Sequence, residues 1–161
     1  MKRFILVILA LYSILGYAQS NNYRTRGYKG DVNVALLRDV SCEEMNLGLF
    51  STHGFQINRV FFVGGGIGYE CGMLPIYADF RSYFTKKKLV VDPYVEMKVG
   101  YDVENDGCYL SPSVGISKPL KKNYTLTVAF TYGTNVYYEE HNVGFRIGVQ
   151  FWYGYKQLYG K

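Results

Sequence analysis

Between residues 27 and 152, one set of alternate positions is apolar and aromatic, and the other holds Gly, Ser, Thr and isolated charges. The clearest stretch sets Val143, Phe145, Ile147, Val149 and Phe151 against Gly144, Arg146, Gly148 and Gln150. A period of two marks β-strands whose two faces meet different surroundings. The spacing predicts eight strands, over residues 27–38, 45–56, 59–70, 73–84, 90–102, 107–118, 123–134 and 142–153. The second is the least regular. Its Leu47 and Leu49 share a parity with Ser51 and His53, so either a bulge shifts the register or its lower half is less apolar.

Periodicity alone does not say which face meets solvent, so the character of the polar face has to decide. A soluble barrel would carry Lys and Glu there. This chain instead places Gly64, Gly66, Gly68, Ser111, Ser113 and Thr127 on that face, with only a few charges among them. Small residues suit the cramped interior of an eight-stranded barrel, and the greasy face suits lipid. The expected fold is therefore all-β, an eight-stranded antiparallel up-and-down transmembrane β-barrel. Such a ring closes without the open edges that a bilayer does not tolerate.

The first residues read differently. Lys2 and Arg3 precede an apolar run from Phe4 to Leu15, which ends in the small-residue pattern Gly16, Tyr17, Ala18 before Gln19. This is the form of a secretory signal peptide cleaved after Ala18, and the run is shorter than a spanning helix needs. The organisation follows as a signal peptide over 1–18, a short N-terminal periplasmic segment over 19–26, a barrel domain over 27–153 and a C-terminal tail over 154–161. Removal of the leader takes Lys2 and Arg3 from a formal charge of +5. The remaining excess is modest and its lysines lie in separate turns, which argues against nucleic-acid binding. The chain holds 17 Tyr and 10 Phe. Tyr28, Tyr69, Tyr83, Tyr101, Tyr109, Tyr124 and Tyr153 fall near strand ends, where rings with a polar tip are expected at the lipid headgroups.

Several short segments carry a resemblance: Thr52-His53-Gly54-Phe55-Gln56, Phe61 to Gly66, Pro75 to Asp79, Asp92 to Glu96 and Ser111 to Gly115. In this order they resemble the small outer-membrane, porin-like β-barrel family of Bacteroidota. The resemblance implies an outer-membrane location in a Gram-negative cell envelope and brings no catalytic residues with it. Expected partners are outer-membrane lipids and lipopolysaccharide, with the barrel assembly machinery during insertion, and the barrel is expected to be a monomer.

Candidate chemistry is sparse. Asp31, Asp79, Arg81, Glu96, Lys98 and Arg146 share the inward parity on four strands. Charges of both signs in a narrow lumen have to pair, which predicts a packed ionic plug, with a narrow porin-like channel as the alternative. Cys42, Cys71 and Cys108 lie near connections at the end opposite the termini, where an oxidising compartment permits one disulfide among them. Their spacing and only two histidines make a metal site a poor fit, and no cofactor is expected. Ser51 and His53 could act as a hydrolase pair on outer-leaflet lipid, but they precede a turn at Ile57 and Asn58 on the opposite side. Gly64, Gly66 and Gly68 lack the following helix that a phosphate loop needs. Lys86, Lys87, Lys88, Lys121 and Lys122 mark the end with the termini, and Glu43, Glu44, Glu104, Asp106, Glu139 and Glu140 mark the other. The leading expectation is a non-enzymatic structural or surface-interaction protein.

Overall fold

The computed structural model describes residues 26–40, 44–84, 91–121, 123–137 and 140–154. The signal peptide, the N-terminal segment up to residue 25, the C-terminal tail beyond Gly154, Cys42, Glu43, Lys86–Lys88, Lys122 and Glu139 lie outside them. Eight strands run in chain order: β1 (Gly27–Asp39), β2 (Met45–Gln56), β3 (Phe61–Tyr69), β4 (Pro75–Tyr83), β5 (Asp92–Asp102), β6 (Gly107–Lys121), β7 (Tyr124–Asn135) and β8 (Glu140–Gly154). Each pairs antiparallel with the next, and β8 closes on β1 from Gly27↔Gly154 to Asp39↔Asn142. The up-and-down barrel is thus complete, with both ends of the strand series at one rim, here called the near end.

The pleat sorts the side chains as the alternation requires. Val32, Val34, Leu36, Phe80, Phe145 and Ile147 point outward and are exposed, while Asp31, Asn33, Ala35, Asp79 and Arg146 point inward and are buried. In β2 the register runs without interruption from Met45 to Gln56 against β1, so no bulge is present. Leu47, Leu49, Ser51, His53 and Phe55 all share the outer face, and the strand is simply less apolar at its near half.

Strand limits move by a few residues where a turn has its own chemistry. The β2–β3 turn takes up Arg59 and Val60 because the Asn58 carboxamide oxygen accepts hydrogen bonds from the amides of Val60 and Phe61, both at 2.8 Å. The one shift of register lies between Pro119 and Lys121, where β6 bulges against β7. A second irregularity sits mid-wall. Leu110↔Thr134 and Ser113↔Thr131 pair in one register, but Ser111 and Pro112 between them have no bridge to β7. Proline has no amide hydrogen to donate, which interrupts the ladder there.

The aromatic residues divide in a way that corrects the headgroup expectation. Tyr69, Tyr101 and Tyr124 are exposed on the outer wall, but Tyr83 and Tyr109 are buried in the lumen together with Tyr77 and Tyr94. Parity decides this: Tyr83 follows Asp79 and Arg81 on β4, and Tyr109 precedes Ser111 and Ser113 on β6. Glycine makes the room. A Cβ at Gly66 would lie 2.9 Å from the Tyr77 ring, and one at Gly68 would lie 2.5 Å from the Phe50 ring.

Candidate functional site: the filled lumen

The lumen is stacked in layers. Nearest the near end, the Lys29 ammonium donates to Gln56 Oε1 at 2.8 Å and lies 5.9 Å from the centre of the Tyr83 ring. Phe62, Tyr83 and Tyr94 form an apolar layer with Ala129 above it. At mid-height sits an ionic cluster. Toward the far end, Ala35, Leu37, Phe50, Met73, Tyr77 and Tyr109 make a second apolar layer, with Cys71 packed against it.

Arg81 organises the ionic cluster. Its Nη2 donates to Asp31 Oδ2 at 2.8 Å, Asp79 Oδ2 at 2.9 Å and Glu96 Oε1 at 2.6 Å, so one guanidinium ties β4 to β1 and β5 across the lumen. Arg146 on β8 pairs with Glu96 Oε2, and Lys98 Nζ lies 3.9 Å from Glu96 Oε1. All six charged residues are buried, and their formal charges cancel. Hydroxyl and amide groups extend the cluster. Asn33 donates to Asp31 at 2.7 Å, Thr127 donates to Asn33 at 3.3 Å, Ser113 donates to Thr131 at 2.8 Å, and the Ser111 and Thr131 hydroxyls share a hydrogen bond of 3.1 Å.

Aromatic faces hold the cations from above and below. The Arg81 guanidinium lies 5.2 Å from the centre of Phe62 and 5.3 Å from that of Tyr94. Lys98 Nζ lies 4.5 Å from the centre of Phe50 and 4.8 Å from that of Tyr77. Such contacts contribute about 0.5–2 kcal/mol each once water is excluded. The arrangement therefore fixes charges in place and fills the bore.

The inward parity of the six charged residues was legible in the alternation, but their partners were not. Phe50, Phe62, Tyr77 and Tyr94 were missed, and the parity they share with neighbouring charges is the signal that could have found them. Glu70, Asp102 and Lys29 are further buried charges that sit too close to strand ends to stand out. The cysteines separate: Cys71 packs on the lumen side, and Cys108 is exposed on the outer face of β6. These two thiols stand on different sides of the wall.

Ser51 and His53 do come together, on the outer face. His53 Nε2 lies 3.3 Å from Ser51 Oγ, and the Tyr28 hydroxyl lies 2.6 Å from His53 Nδ1. A nucleophile and a base within reach of one another are half of a hydrolase site. The third member here is a phenol hydroxyl where a hydrolase has a carboxylate, and the Ser51 and His53 backbones are paired on both sides by β1 and β3. Held in the ladder, the Ser51 and His53 amides do not form an oxyanion hole. The group reads instead as an aromatic cluster with Phe55 and Phe151. Phe151 lies over Gly30, whose missing side chain admits the ring.

No known protein family and no curated protein sequence matches the chain. Among solved structures it is similar to a de novo designed transmembrane β-barrel, with 15% identity over 84% of this chain and 100% of that one and a TM-score of 0.57. It is similar also to the N-terminal β-barrel domain of Pseudomonas aeruginosa OprF, with 10% identity over 79% and 100% and a TM-score of 0.56. Neisserial surface protein A gives 14% identity over 78% and 96% and a TM-score of 0.54. The chain has the fold of the small transmembrane barrels. At these identities the likeness speaks to fold alone.

Proposed function

We propose that the chain is an integral outer-membrane β-barrel with a filled lumen, serving a structural or surface-interaction role in the cell envelope without enzymatic activity. One observation carries this reading: the barrel is inside out. Its outer wall presents large apolar side chains, with Leu47 69% and Phe55 63% exposed, while Lys98, Asp79 and Asp31 are buried within. In water that wall would drive aggregation, whereas hydrocarbon accommodates it. The outer-membrane barrels among the structural neighbours and the leader-like first residues support the location.

The ends of the strand series at the near rim support a periplasmic near end and an exterior far end. Outer-membrane lipids and lipopolysaccharide then cover the wall, and the barrel assembly machinery delivers it as a monomer. The ionic cluster and its two aromatic layers support a plug in place of a pore.

Two measurements test the reading. Protein extracted from outer-membrane fractions should migrate faster before boiling than after, because a folded barrel resists detergent until heated. Recovery in the soluble periplasmic fraction would overturn the location. In planar bilayers the purified protein should give no sustained conductance, and reproducible channels would replace the plug with the narrow porin-like alternative.

A further inference from the structure

At the far end, β3 and β4 are joined through Glu70, Cys71, Gly72 and Met73. Cys71 and Gly72 both have positive φ, 47° and 80°, and Glu70 and Met73 exchange backbone hydrogen bonds of 3.0 and 2.7 Å. This is the tight, right-twisted hairpin turn that needs two left-handed residues. A surface turn of this kind would ordinarily put its flanking side chains in water. Here Glu70 is 1% and Met73 0% exposed, because both side chains turn into the lumen.

Met73 drops into the apolar layer beside Leu37, Phe50 and Tyr109. Behind it, the turn is fastened to the β5–β6 connection. Asp102 Oδ1 accepts from the Leu74 amide at 2.8 Å, and the Leu74 carbonyl accepts from the Val103 amide at 3.1 Å. Asn105, in the same connection, donates from Nδ2 to the Gly72 carbonyl at 3.5 Å. The short bonds at Leu74 make it the hinge of the turn.

Glu70 sits against the opposite wall. Its Oε1 is buried without a hydrogen-bond partner, and it lies 2.7 Å from where a Cβ at Gly133 would stand. The charged and titratable groups facing it are Lys98 and Asp102 on β5, Tyr109 on β6 and Arg146 on β8. Both cations are engaged with Glu96 lower down. Burial pushes the Glu70 carboxyl above the usual carboxylate range, against the opposing pull of Tyr109, Lys98 and Arg146.

We propose that the turn from Glu70 to Met73 is a stopper over the outer mouth of the lumen, seated while the Glu70 carboxyl is neutral and lifted when it ionises. A neutral carboxyl fits a buried place with an unpaired oxygen, and a carboxylate there carries a heavy desolvation cost. Swinging outward about Leu74 hydrates the carboxylate while the bonds within the turn travel with it. The sign follows from the raised value. The seated form is favoured at low pH and is lost as pH rises through the Glu70 value in the barrel. Lifting uncovers Phe50, Tyr77 and Tyr109, with Lys98 beneath them, and leaves the Arg81 cluster closed.

The test is the rate of Met73 oxidation by hydrogen peroxide in the full-length barrel in lipid vesicles, read by peptide mass spectrometry from pH 5 to 9. Met45, which is 66% exposed, is the internal reference. The Met73 to Met45 ratio should rise roughly tenfold per pH unit through the transition and then level off, as an ionised fraction does. Glu70→Gln should hold the ratio at its low-pH level throughout. A flat wild-type profile overturns the proposal, as does a Glu70→Gln variant that keeps the wild-type pH dependence. If that variant does not fold, amide hydrogen exchange at Met73 and Leu74 in the wild type, faster at pH 9 than the intrinsic rate accounts for, decides the question. None of these readouts depends on whether the barrel conducts.

Discussion

Replacing Arg81 tests the ionic cluster most directly. Arg81→Met keeps much of the aliphatic packing against Phe62 and Tyr94 and removes the guanidinium shared by Asp31, Asp79 and Glu96. Asp31 retains Asn33, and Glu96 retains Arg146, so the group left worst off is Asp79. Its Oδ1 is already without a partner, and its Oδ2 loses the Arg81 bond. Removing one partner of a buried ion pair costs about 3–5 kcal/mol. Loss of the two ring contacts adds roughly 1 kcal/mol or more. The variant should therefore lose at least about 3 kcal/mol of barrel stability.

Arg81→Met combined with Asp79→Asn removes one charge of each sign and should recover part of that loss, with a coupling of about 1–3 kcal/mol. The assay is urea unfolding in lipid vesicles, followed by the fluorescence of the single Trp152 and by gel mobility across the four corners of the cycle. A single variant within about 0.5 kcal/mol of wild type, the scatter expected for an uncoupled surface change, would refute the claim that the cluster holds the strands together. Zero coupling would show that Arg81 acts through packing and not through charge.

Three other outcomes follow from the same geometry. Gly100→Ala drives a Cβ into the Ile76 carbonyl oxygen on the neighbouring strand, so β4 and β5 must part, at a cost of about 1–3 kcal/mol in the same unfolding assay. Pro112→Val returns an amide donor to the unpaired stretch of β6. It should stabilise the barrel by about 0.5–1.5 kcal/mol and slow amide exchange in β7 around Tyr132 and Gly133; unchanged exchange would mean the gap has another cause. Ser51→Ala and His53→Phe should leave the lipid A composition of the producing cells as it was, and a change in it would make the Tyr28–His53–Ser51 group catalytic.

How far the residues spoke for themselves depends on the distance involved. The alternation in β8 and the small residues on β6 and β7 named the strands and the inner face, because pleating is a property of adjacent residues. Strand ends were blurred where a turn side chain such as Asn58 competes for backbone amides. The tyrosines were misread because nearness to a strand end outweighed parity, which had already placed Tyr83 and Tyr109 inside. The outer-face group at Ser51 and His53 looked like an irregularity until Tyr28, 25 residues from His53, was brought beside it.

The sequence by itself determined a barrel with a greasy outside and a mixed, small and charged inside, since the period of two named the strands and the small residues of the polar face decided which face turns inward. Only the tertiary structure decided which inward charges meet. Arg81 reaches Asp31 fifty residues away and Glu96 on the next strand because the register and stagger of eight strands around a ring bring them to one height, and register is a property of pairs of strands that neither strand encodes alone. The same closure buries Glu70 just past the end of β3, a carboxylate whose surroundings its own strand does not reveal.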